Sequence, residues 1–135
     1  MNFITSFGHI KIISPNIAEI VINHGIEISL EVVEEFEVLM NKYFHKHYAI
    51  LINRINHYSY AYESLLCIGS VKNLKAVAVV NYVIENEQQA KDISSVQNID
   101  KLNIKLFSGL ELGRDSAIAW INTQLAKASN SERVK

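Results

Sequence analysis

The sequence predicts an α/β fold: a single domain with the element order β-β-α-β-α-β-α-β-α. Three observations lead there. Leu74-Lys75-Ala76-Val77-Ala78-Val79-Val80-Asn81-Tyr82-Val83 carries an unbroken apolar run rich in valine. A strand sends alternate side chains to opposite faces, so such a run needs cover on both faces, as in the middle of an α/β sheet. Val-rich composition and shortness favour a strand over a buried helix. Tyr48-Ala49-Ile50-Leu51-Ile52-Asn53 repeats the pattern. Between the N-terminal strands and this run lies a stretch with clear helical periodicity.

Each element has its own signal. His9-Ile10-Lys11-Ile12 alternates polar and apolar, as a half-buried strand does. Ser14-Pro15-Asn16 makes a turn, because proline presets φ and Asn tolerates unusual backbone. Ala18, Ile20 and Ile22 then share one face of a second strand, which pairs with the first as an antiparallel hairpin. Gly25 permits the next bend. Ser29 caps a helix running to about Phe44, with Val32, Val33, Phe36, Leu39, Met40 and Tyr43 on its apolar side. Early Glu31, Glu34 and Glu35 and late Lys42 complement the helix dipole.

After the Tyr48–Asn53 strand, a helix is expected to begin near Ser59, carry Leu65, Leu66 and Ile68, and end near Gly69. Beyond the Leu74–Val83 strand, Asn86 with Gln89 in capping-box position opens a short polar helix contacting the core through Ala90 and Ile93. Leu102, Ile104 and Leu106 alternate with polar residues in a last strand. Ser108-Gly109-Leu110-Glu111 reads as a capping box for the closing helix, whose inward face is Ala117, Trp120, Ile121 and Leu125. Gly113 inside that helix is expected to weaken it by about 1 kcal/mol relative to alanine. The domain spans residues 1–127, and residues 128–135 read as a polar, flexible tail.

Composition narrows the function classes. The chain is 49% hydrophobic, which supports a packed core rather than disorder. Net charge is -1, so nothing electrostatic favours nucleic acid as a partner. The acidic excess of the N-terminal half sits mainly between Glu31 and Glu37 and reads as a solvated helix face. Cys67 is the single cysteine, so no intramolecular disulfide forms, which suits a cytoplasmic location. The start lacks a basic region followed by a long apolar stretch, so no signal peptide is expected. No apolar run approaches the roughly 20 residues needed for stable membrane insertion.

The element order and three local patterns resemble the SpoIIAA-like group of the STAS superfamily. Gly25-Ile26-Glu27-Ile28-Ser29 is a glycine turn leading into an amphipathic helix. Leu74-Lys75-Ala76-Val77-Ala78-Val79-Val80 is similar to the group's Lys-Ala-x-Ala-x-Val strand. Ile104-Lys105-Leu106-Phe107 followed by Ala117-Ile118-Ala119-Trp120-Ile121 is similar to its Phe-ended strand and Ala-x-x-Trp-Leu closing helix. The likeness covers nearly the whole chain. It implies a STAS-like α/β domain with a mixed, mostly parallel sheet and one antiparallel edge strand, and a non-enzymatic binding role related to anti-sigma factor antagonists. Those domains are phosphorylated on a serine in an Asp-Ser-Ser/Thr-Gly turn. The comparable stretch here, Asn53-Arg54-Ile55-Asn56-His57-Tyr58-Ser59-Tyr60, lacks that pattern, so Ser59 is not expected to be a regulatory phosphosite. Ser108 to Arg114 is about a turn longer than the group's spacing. Related domains carry lipids, which makes an apolar ligand the alternative.

Candidate chemistry is sparse. His45-Lys46-His47 has ligand-like spacing in extended chain, but no cysteine or carboxylate nearby in sequence completes a metal set, and two solvated histidines are the simpler reading. His57 and Ser59 suggest a base and a nucleophile, yet there is no Gly-x-Ser-x-Gly elbow and no third member. No Gly-x-Gly-x-x-Gly or Walker-type loop is present, so no nucleotide cofactor is expected. Cys67, flanked by Leu66 and Ile68, reads as a buried thiol. Tyr58, Tyr60 and Tyr62 are either amphipathic contact groups for a partner or covers for the core. They follow a strand, at the end of an α/β sheet where ligands bind. Asn56, Tyr58, Ser59 and Tyr60 are therefore the expected binding residues. The expected partner is a protein, a second copy of the chain included, and the alternative is a small apolar molecule or lipid.

Overall fold

The computed structural model describes residues 2–61, 71–82, 103–109 and 112–133. They form β1 (Asn2–Ile4), β2 (Gly8–Ser14), β3 (Ile17–Ile22), β4 (Glu27–Ile28), α1 (Leu30–Tyr43), β5 (Tyr48–Arg54), β6 (Ser59–Tyr60), β7 (Leu74–Asn81), β8 (Ile104–Ser108) and α2 (Gly113–Arg133). Six strands make one sheet in the order β1-β2-β3-β5-β7-β8. β2 runs antiparallel to both neighbours, and all other pairings are parallel. The mixed α/β architecture is as predicted, with one correction. The antiparallel strand lies second from the edge, because β1 continues the sheet beyond it. Three residues are too few for alternation to register in a sequence.

Both apolar runs become interior strands. β3 and β5 hold the middle of the sheet, and β7 lies between β5 and β8. Along β5, Tyr48, Ile50 and Ile52 join one core cluster while Ala49 and Leu51 join the other. β7 divides likewise, Val77 and Val79 against Ala76, Ala78 and Val80. α1 covers the first face through Val33 and Met40, with Val32, Phe36 and Leu39 partly buried beside them. α2 covers the second face. There Ala49, Ala76 and Ala78 are fully buried against Ala117 and Ile121, and their small side chains let the helix approach the sheet closely.

The ends of α1 follow the sequence. Ser29 is the N-cap, its hydroxyl accepting from the Val32 N–H, and Phe44 is the C-cap. Gly25 turns with φ 80°, a left-handed value that suits glycine. The start of α2 does not follow. Ser108 ends β8, and the helix begins at Gly113 after Leu112 in a left-handed conformation (φ 51°). A Cβ on Gly113 would lie 2.7 Å from the Ser108 carbonyl carbon, so glycine is what lets the helix start against the end of β8. The backbone of α2 continues to Arg133, through most of the stretch that reads as a polar tail.

Ser59 is also placed differently. It belongs to β6, which pairs in parallel with β4 as a separate two-stranded sheet, so it caps no helix. The expected helix segments around Leu65, Leu66, Cys67 and Ile68 and around Asn86, Gln89, Ala90 and Ile93 lie outside the described residues, as do Tyr62, Leu102, Leu110 and Glu111.

Candidate functional site

The carboxyl ends of β3, β5, β7 and β8 lie at one end of the sheet, where ligands of α/β folds bind. The segment after β5 is tied to the segment after β3 by a series of hydrogen bonds. Asn56 Nδ2 donates to the Ile22 carbonyl at 3.0 Å. The Gly25 N–H donates to the His57 carbonyl at 2.8 Å. The N–H groups of Ser59 and Ala61 donate to the carbonyls of Ile26 and Ile28 at 3.0 and 2.9 Å. The short β4–β6 sheet is the outcome: it fixes a loop outside the main sheet.

These bonds sort the four residues expected from sequence. Asn56 is half-buried and latches the loop. Tyr58 is buried in the α1-side core, and the Arg54 guanidinium lies 5.2 Å above its ring centroid. That places the ring among the core covers and gives it a cation–π contact. Ser59 is exposed. Tyr60 pairs through its backbone with Ile28, and its side chain is outside the described atoms.

The structure adds residues that sequence reasoning missed. Arg54 is 2% exposed and is the buried charged residue among those described. Arg54, Asn81 and Ser108 sit in register across β5, β7 and β8 and so share the α1-side face. The row sets a guanidinium, a carboxamide and a hydroxyl side by side at the strand ends. Its members are far apart in sequence, so only the strand register reveals the row. Ile55 (51% exposed), Leu112 (78%) and Tyr82 are large exposed hydrophobics at this same end. The Tyr82 N–H donates to the Arg54 carbonyl at 3.0 Å, which joins the β7 exit to the β5 exit. His24 and His57 stand edge to face with centroids 6.2 Å apart.

On the opposite face, Arg114 in the first turn of α2 donates from Nε to Glu19 on β3 at 2.7 Å. Burial works against ionisation of Glu19. The hydrogen bonds from Arg114 and Asn53 and the nearby charges of Arg114 and Lys11 outweigh it and hold the carboxyl below its ordinary range. The same pairing raises Arg114. This ion pair fastens α2 to the sheet.

Other candidates stay apart. His45, Lys46 and His47 lie between α1 and β5, with His45 and Lys46 exposed. Among the described residues no group of three or more His, Cys, Asp or Glu could hold a metal ion. An apolar cavity of about 80 Å³ lies between α1 and the sheet, with Phe7, Ile28, Val33, Ile52, Val71 and Val77 in its lining. No described helix is long and apolar enough to cross a membrane. Compared with family models, curated proteins and solved structures, the chain matches none of them.

Proposed function

We propose that this chain is a non-catalytic, cytoplasmic STAS-like binding domain that presents the carboxyl end of its parallel strands to a protein partner. The observation that carries this reading is the coincidence of Ile55, Tyr82 and Leu112, all exposed, at the end where backbone hydrogen bonds join the exits of β3, β5 and β7. Apolar groups held rigidly at a surface bind with little loss of conformational entropy. Asn56 and Ser59 supply polar contacts at the rim. Tyr58 and Arg54 act underneath, as support for the loop. The mixed, mostly parallel sheet is in keeping with the STAS-like reading. The lone Cys67 suits the cytoplasm.

The test is the double variant Ile55→Asp with Leu112→Asp, assayed for association in an extract of the native host. Both side chains are exposed, so thermal melting is expected to stay near wild type while partner recovery falls. Undiminished recovery of every partner by a folded variant refutes the proposal. The cavity under α1 favours a second reading, a carrier of a small apolar ligand. Native mass spectrometry of protein purified from its own host separates the two: a retained small molecule supports the carrier, and a retained polypeptide supports the interaction domain.

A further inference from the structure

A second surface lies away from the strand ends, along the outer edge of the sheet. β1 pairs with β2 on one side, and no described strand pairs with its other side. The N–H and C=O groups on that side, which no described strand engages, form a template for an added strand. α1 overhangs this edge. Glu31, Glu34, Glu35, Val38 and Lys42 recur every three or four residues, so they lie on one stripe of the helix. Together with Phe3 and Leu39 they enclose an open groove of about 670 Å³ beside β1. The Phe3 ring packs against Tyr43 of α1 at 4.6 Å, which holds strand and helix at a fixed separation. Val38 and Ile4 are exposed here, Ile4 at 87%.

We propose that this groove docks a basic, extended segment of a partner protein, which adds a strand to the open edge of β1. A strand added there lies about 4.8 Å beyond β1 and turns every second side chain under the α1 stripe. The stripe meets those side chains with apolar surface from Val38 and Leu39 and with carboxylates. Glu35 is engaged at the β1–β2 turn, accepting from the Ser6 N–H at 2.9 Å and from its hydroxyl. Glu31 is held at the helix start, accepting from its own N–H and from Ser29, so Glu34 remains to face a ligand, with Lys42 at the far end. Apolar residues alternating with lysine or arginine match this lining. A second copy of the chain does not. Edge pairing with itself sets two stripes together, each with three carboxylates and one lysine, and like charges at an interface oppose association.

The experiment uses a short blocked peptide alternating lysine and valine, and a counterpart alternating glutamate and valine. Fluorescence anisotropy at low ionic strength is expected to show the basic peptide bound at least about 10-fold more tightly, with affinity falling as salt rises. Amide NMR shifts are expected at Asn2–Thr5 and along Glu31–Lys42. The pair Glu31→Gln with Glu34→Gln should weaken the basic peptide by about 10-fold. Because Glu31 lies in the first helical turn, Glu34→Gln alone serves as a second variant, and melting curves confirm that both fold. Equal affinity for the two peptides, no binding of either, shifts confined to another surface, or dimerisation through this edge would each overturn the proposal.

Discussion

Gly113→Ala separates helix propensity from tertiary fit, because the two give opposite signs. Gly113 is the first residue of α2, so alanine gains there at most the about 1 kcal/mol that it has over glycine in a helix interior. In the structure the new Cβ sits 2.7 Å from the Ser108 carbonyl carbon and overlaps its oxygen. Carbon atoms pack at about 3.5–4.0 Å, so strand end and helix must separate by roughly 1 Å. Neither moves freely. Ser108 pairs with Asn81, and the adjacent Gly109 N–H donates to the Asn81 carbonyl at 2.9 Å. Ala117 and Ile121 hold α2 against the alanine face of the sheet. Overpacking of this kind costs about 1–3 kcal/mol, and overlap with pinned backbone belongs at the upper end. After subtracting the propensity gain, the expected net destabilisation is about 2 kcal/mol. Urea unfolding followed by circular dichroism measures it as a lowered midpoint at unchanged slope. A variant as stable as wild type, or more stable, would show that the close approach is not needed and that Gly113 is an ordinary weak helix residue.

Tyr48→Phe should raise stability by about 1 kcal/mol in the same assay, since the Tyr48 hydroxyl is buried without a hydrogen-bond partner among the described residues and its removal ends a desolvation cost. A loss of stability in Tyr48→Phe would mean that the hydroxyl is satisfied. Glu19→Gln should flatten the acid limb of the stability curve: the carboxyl's folded pKa lies below its ordinary 4.5, so its contribution is present above that value and is lost as pH falls through the folded pKa. Parallel acid limbs for wild type and Glu19→Gln would refute the role given to the Arg114 pair.

The sequence by itself determined the α/β class, the N-terminal hairpin, α1 with its Ser29 cap, the two interior strands and the inward face of α2. All of these are local signals: alternation, helical spacing, a capping side chain, an apolar run. They read correctly because the residues that cause them are neighbours in the chain. The tertiary structure decided what depends on distant pairing. β1 exists because Asn2–Ile4 can pair with β2, and Ser59 is a strand residue because the Ile26 carbonyl accepts its N–H and the Ile28 carbonyl that of Ala61. The helix begins at Gly113 rather than at the Ser108 capping box, since Ser108 is held in the sheet by Asn81. At the candidate site, Asn56, Tyr58, Ser59 and Tyr60 were legible as a loop after a strand, but their roles were not. Whether Tyr58 faces solvent or lies beneath Arg54, and whether Arg54, Asn81 and Ser108 stand in one row, are fixed by strand register. Register is set by the packing of whole faces, and no short window of sequence contains it.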